Sequence, residues 1–317
     1  MKRSCLALTG IAFLLPGVLL SRGWAQEGAG QAKPEWWRIR ITGSLFRVEN
    51  INTRVPSRPP YFGLTRLSFL PSSKLLAPRP RGLSPDNWLG GTGTWNTAAD
   101  WSAGTPTSSS AVTIGNTSSG YVTVSQTGAA SAASVAILGG NTLSIVAGNT
   151  LTVGGATSVS SGADLLVSTN DSGGSVMNSG GSVTNSGYLQ IGNYYMTSPT
   201  TMNVTGTYTG TGGIVDVDAG NSAGANALLK MSGAAPGTLM GTYQVTAYAG
   251  SAAVEWGSGG ITSIGDGVSN AGDVLLSGAS AYMETGASNS NSALKSLTTI
   301  ASNGELQLET GSSVTTT

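Results

Sequence analysis

Val215-Asp216-Val217-Asp218 places two carboxylates at i and i+2 in an alternating run. On a β-strand both acids fall on one face, about 6.5–7 Å apart by strand rise, with the valines on the other. That spacing suits an inverting carboxylate pair or a calcium site. Polysaccharide cleavage would be expected to have basic partners beside the acids, yet residues 86–317 contain only Lys230 and Lys295, with no arginine. The chain has no histidine at all, which removes Ser-His-Asp and Cys-His catalysis and histidine metal sites. The expectation for Asp216 and Asp218 is therefore a solvated strand face.

The other acids offer less. Asp266, Asp273 and Glu284 are spread over turns and strand starts. Gly265-Asp-Gly-Val-Ser-Asn-Ala-Gly-Asp273 has a calcium-like look but is a single copy without the repeated G-G-x-G-x-D form, so a turn is expected. Neither a Walker-type phosphate loop nor a dinucleotide fingerprint at a strand-to-helix junction occurs. Trp88, Trp95 and Trp101 would stack on sugar rings if exposed in a row. The expectation is instead a cap that buries them over the first turn of the fold. Tyr243 and Trp256 are expected to pack in loops. Asn116, Asn170 and Asn203 match a glycosylation acceptor pattern that carries little weight here. No catalytic, cofactor-binding or metal-binding residue is nominated, and no cofactor is expected.

The elements that hold these residues follow from composition. Charged residues are only 9% of the 317, and Gly numbers 47. Residues 1–85 carry 13 basic and 3 acidic groups, while 86–317 carry 2 and 12, so a formal charge of zero hides two unlike parts. Met1–Ala25 has the form of a cleaved export signal. Lys2 and Arg3 precede an apolar stretch from Leu6 to Leu20, and Gly23-Trp24-Ala25 supplies small residues at the cleavage positions. The only cysteine, Cys5, lies inside it, so the mature chain can form no disulfide. Residues 26–85 hold 8 of the 12 prolines and show no sustained period, which predicts a disordered basic linker. A basic arm for polyanions is the alternative there.

In residues 86–317, Gly, Ser, Thr and Asn supply 123 of 232 positions. The remainder is mostly aliphatic residues in short in-out-in triplets: Val112–Ile114, Tyr121–Val124, Val135–Ile137, Leu143–Ile145, Leu151–Val153, Leu189–Ile191, Met202–Val204, Val215–Val217, Tyr243–Val245 and Leu306–Leu308. A fuller form, turn-Gly-x-apolar-x-apolar, recurs at Gly187, Gly213, Gly272 and Gly304. Imperfect self-similarity of this kind predicts an all-β, right-handed parallel β-helix of about ten coils of roughly 20–25 residues. A β-sandwich with irregular loops is the alternative.

Trp88-Leu-Gly-Gly-Thr-Gly-Thr-Trp95 followed by Trp101-Ser-Ala-Gly-Thr-Pro106 resembles the opening of bacterial autotransporter passenger domains. The Gly-Asn-Thr-Leu151-Thr-Val153 and Asn185-Ser-Gly-Tyr-Leu-Gln-Ile191-Gly segments are similar to their coils. Ala235–Tyr243 and Glu255–Ile261 resemble their inter-coil segments. The resemblance implies type V secretion and display at the outer membrane surface or in the extracellular space. It also implies a C-terminal translocator barrel, which this chain lacks, so a fragment is expected. The expected function is a non-enzymatic, structural or adhesive passenger that contacts a host-cell, matrix or sister-cell surface and no nucleic acid. The alternatives are a polysaccharide-acting β-helix enzyme using Asp216 and Asp218, and a non-functional truncated remnant.

Overall fold

A computed structural model describes residues 83–115, 120–125, 130–210, 212–286 and 288–317, together with the backbone of four strands between residues 12 and 50. Those four belong to a separate unit, residues 1–73, where Ala12–Leu15 pairs antiparallel with Val18–Ser21 and Trp37–Thr42 with Leu45–Asn50. The second hairpin falls where the sequence predicts no regular period, although Trp37-Arg-Ile-Arg-Ile41 does alternate. The export-signal and linker assignments otherwise lie outside the described residues.

From Leu83 onward the chain is a parallel β-solenoid with no α-helix among the described residues. Each coil contributes one strand to each of three sheets. The first sheet stacks Ser84–Asn87, Ser110–Ile114, Ser134–Ile137, Thr157–Val159, Val183–Asn185 and Tyr208–Gly210. The second stacks nine strands: Gly91–Thr94, Gly120–Val124, Thr142–Ile145, Asp164–Val167, Tyr188–Gly192, Ile214–Asp218, Gly241–Thr246, Gly272–Ser277 and Gly304–Glu309. The third stacks Ala130–Ala132, Thr150–Val153, Val176–Ser179, Thr200–Val204, Ala227–Ala234, Ala252–Ser258 and Ala281–Thr285. In the later coils a short sheet of Thr238–Leu239, Ser263–Ile264 and Thr299–Ile300 takes the first sheet's place in chain order.

All ten triplets read from the sequence are strands. The coils, however, are fewer and larger than expected: seven carry all three strands, with a partial coil at each end. Register partners Val122, Leu143, Leu165, Leu189, Val215, Tyr243, Val274 and Leu306 are separated by 21, 22, 24, 26, 28, 31 and 32 residues. That growth is confined to the second sheet from Val122 onward: the step from Gly93 to Val122 is 29 residues, and the third sheet's steps rise and fall between 21 and 29, so no fixed period is visible. Ala235–Tyr243 and Glu255–Ile261, expected between coils, instead supply strands. Tyr243 and Trp256 are therefore core residues, 3% and 2% exposed, with ring centroids 6.3 Å apart.

The core is a set of aliphatic ladders. Val122, Leu143, Leu165, Leu189, Val215 and Val274 stack in one column and Val124, Ile145, Val167, Ile191, Val217, Val245 and Leu276 in the next, all buried. Each large side chain removed from water contributes roughly 1.5–3 kcal/mol. Alternation inside-outside thus stabilises a fold that contains no cysteine from Leu83 onward.

The recurring Gly before the second-sheet strands has a steric cause. A Cβ on Gly213 would lie 2.6 Å from the Asn185 carbonyl oxygen of the coil below. Gly187, Gly272 and Gly304 meet the carbonyls of Ala163, Leu239 and Ile264 in the same way. The third-sheet corner repeats the device, with Gly155, Gly181 and Gly206 stacked backbone on backbone. A Cβ on Gly181 would come within 2.6 Å of the Gly155 carbonyl oxygen, with no flexible side chain to yield. Gly181→Ala is expected to lower stability by about 1–3 kcal/mol, the usual range for overpacking. A urea midpoint equal to that of the wild type would refute this close approach.

Candidate functional site

Val215 and Val217 point inward and Asp216 and Asp218 outward, as the alternation predicts. The solvated face does not follow. Both acids are half-buried, and their carboxyls are in hydrogen-bonding reach of each other, far closer than strand rise alone implies. The Tyr188 hydroxyl donates to Asp216 Oδ2 at 2.7 Å, reaching across from the coil below. Asp218 draws on the Thr246 hydroxyl from the coil above and the Gln190 amide from the coil below.

Burial, then the neighbouring Asp216 charge, pushes the Asp218 carboxyl up to about 7. Burial also raises Asp216, while the hydrogen bonds from Tyr188 and Asp218 pull it back down. Asp218 is therefore the member that keeps a proton in a pair that shares one. Tyr188 is raised by burial and by its bond to Asp216, so it stays a neutral donor.

The corner beside this pair carries an aromatic group that the sequence reading passed over. Gly192, Asp218 and Thr246 are register partners in three successive coils. Tyr194 and Tyr195 follow Gly192, and Tyr248 follows Thr246. The rings of Tyr194 and Tyr248 meet edge to face at 4.8 Å, and those of Tyr194 and Tyr195 at 5.4 Å. All three are exposed, at 44%, 67% and 52% for Tyr194, Tyr195 and Tyr248. Tyr248 is raised by burial and then by the charges of Asp218 and Asp216, which puts the acids and the rings in one field. The available signal was aromatic residues in turns otherwise made of Gly, Ala, Ser and Asn.

The remaining sequence candidates do not join this site. Asp266 is a turn former, as expected. Its Oδ1 accepts the backbone N–H groups of Val268, Ser269 and Asn270, which hold its carboxyl well below the usual carboxylate range. Asp273 accepts a hydrogen bond from the Thr242 hydroxyl at 3.3 Å. Glu284 lies on the third sheet, in register with Glu255, which pairs with Lys230 at 2.9 Å. Burial and the Glu255 charge raise Glu284. Among the described residues no three His, Cys, Asp or Glu side chains come together to hold a metal ion.

Trp88, Trp95 and Trp101 form the expected cap, 1%, 1% and 3% exposed. Trp101 meets Trp88 and Trp95 edge to face at 5.0 and 5.2 Å, and its indole N–H donates to the Trp95 carbonyl at 2.9 Å. Asn116 lies outside the described residues. Asn203 donates to Asn178 Oδ1 at 2.9 Å on the third sheet's outward face. A groove of about 490 Å³ near the C-terminal end is lined by Tyr282, Asn291, Lys295 and Thr317 among others, with no carboxylate side chain.

The geometry defines a parallel β-solenoid with a carboxyl pair and a tyrosine platform on one corner. Comparison with protein-family models, with curated proteins and with solved structures returned no match.

Proposed function

We propose that this chain is an exported, autotransporter-type passenger whose solenoid serves as a non-enzymatic adhesive rod at the outer membrane surface or in the extracellular space. The observation that carries this reading is the solenoid itself: seven complete coils, closed at the N-terminal end by three buried tryptophans. A stacked fold of this kind propagates coil by coil and presents a long face to an extended partner. The Trp-rich opening and the Gly-Asn coils add the resemblance to passenger domains. Cells expressing the chain are expected to lose it on protease treatment while intact. Beads coated with the full chain are expected to bind host cells, matrix or sister cells above uncoated beads. Retention in the cytosol, or binding equal to that of bare beads, would overturn the reading.

The specific observation behind a second reading, a polysaccharide-acting enzyme, is the Asp216–Asp218 pair. New reducing ends or unsaturated sugars released by the purified chain would establish that reading against adhesion alone.

A further inference from the structure

From the corner formed by Tyr194, Tyr195, Tyr248, Asp216 and Asp218, we infer a binding site for an oligosaccharide bearing free amino groups. The inference rests on the adhesive reading and names its ligand. Three observations converge. First, three tyrosines are exposed on one corner, at 44% to 67%, with Tyr194 set edge to face against both Tyr195 and Tyr248. A tyrosine ring offers an apolar face and a polar tip, which matches a sugar ring with its C–H face and hydroxyl rim. Large aromatic surface left in water on an otherwise small-polar rod marks a contact site.

Second, the site is negative. Asp216 and Asp218 lie on the outward face at the same corner, and residues 86–317 carry 12 acids against 2 bases. That field repels uronates, sulfated glycans and phosphate polymers and attracts an ammonium group. Aromatic faces beside carboxylates strengthen the attraction through cation–π contact. Lys230, one of the two bases, is engaged with Glu255 on the third sheet and does not neutralise this corner.

Third, the corner has a polymer's spacing. Gly192, Asp218, Thr246 and Ser277 succeed one another in register along the rod. Neighbouring strands are ~4.8 Å apart, a step comparable to the rise of one sugar in an extended glycan. Gln190, Asp216 and Gln244 run parallel to them in the next outward column. A glycan lying along the rod would place one sugar over the tyrosines and an amino group against the acids.

The test uses the full chain and three probes: a hexamer of glucosamine with free amines, its N-acetylated counterpart, and hexalysine. Titration calorimetry with tyrosine fluorescence is expected to give saturable binding of the free-amine hexamer. The N-acetylated hexamer should bind about ten-fold or more weakly, because the ammonium contacts are lost. Tyr194→Ala and Tyr248→Ala should each weaken binding by a similar factor with an unchanged melting temperature, since both side chains are exposed. Asp216→Asn, which removes the charged member of the pair, should reduce the preference for the free amine. No saturable binding of the glucosamine hexamer overturns the inference, as does binding unaffected by Tyr248→Ala. Equal affinity for hexalysine also overturns it, by making the site a general cation surface. Undiminished cell adhesion by the double tyrosine variant would sink this ligand and leave the adhesive reading standing. Absent adhesion by the wild-type chain would sink the adhesive reading.

Discussion

Trp88→Ala is expected to cost about 3–5 kcal/mol, the range for removing a buried tryptophan, and to do so at one end of the molecule only. Among the described residues the first strands, Ser84–Asn87 and Gly91–Thr94, each have a neighbour on one side alone, so their inward face needs a lid. Trp88, Trp95 and Trp101 provide it, packed edge to face around Trp101. The Trp88 indole N–H also donates to the Gly91 carbonyl at 3.3 Å, joining the lid to the second strand. Because each coil of a solenoid contacts only its neighbours, the loss should fray the near end and spare the far one. Hydrogen exchange should show amide protection lost over residues 84–124 and kept over 188–277. Unchanged protection at 84–124 would mean that the tryptophans are not the cap. Uniform loss across all coils would mean that the solenoid unfolds as one unit.

The second large effect is a pH dependence set by Asp218. Its carboxyl is raised to about 7 in the folded chain, above the ordinary 3.8. The folded state therefore holds this proton more tightly than the unfolded state. That contribution is fully present below about pH 4 and is lost as pH rises through about 7. Roughly three pH units at 1.36 kcal/mol each bound the loss at about 4 kcal/mol, less where Asp216 shares the proton. Asp218→Asn should flatten the slope between pH 4 and 7 and raise stability at pH 8, read from urea midpoints at pH 4, 6 and 8. Glu284 is raised by its own burial and leaves a smaller slope of the same sign. Asp266 is lowered, so its contribution is lost only as pH falls through the acid range, outside this window. An Asp218→Asn slope equal to the wild type's would refute the buried pair.

The second sheet was the most legible part of the sequence, since its inward positions are aliphatic in nearly every coil. The first and third sheets were read only in part. Thr157, Ser179, Asn185 and Thr200 point inward and are buried, so Thr157–Val159, Val176–Ser179 and Val183–Asn185 do not show a clean alternation. Three of them are satisfied locally: Asn185 donates to the Ile214 carbonyl at 2.9 Å, and Thr157 and Ser179 hydroxyls meet at 3.2 Å, while the buried Thr200 hydroxyl has no partner among the described residues. Of the candidate site, the acids and their outward direction were readable. Their partners were not, because Tyr188 and Asp216 are 28 residues apart and the coil length changes at every step. Without a fixed repeat, no count along the sequence brings Tyr194, Asp218 and Tyr248 to one corner.

The unequal coils give the solenoid a signature under load. If the chain is pulled from its C-terminal end, stacked strands peel away one level at a time, and each level frees its own length of backbone. Extended chain spans at most 3.3–3.6 Å per residue, so second-sheet spacings of 21 to 32 residues release between about 70 Å and about 110 Å. A tethered molecule would therefore unravel in steps of unequal size. Unlike a tube of uniform repeats, this rod keeps a record of how far it has been undone.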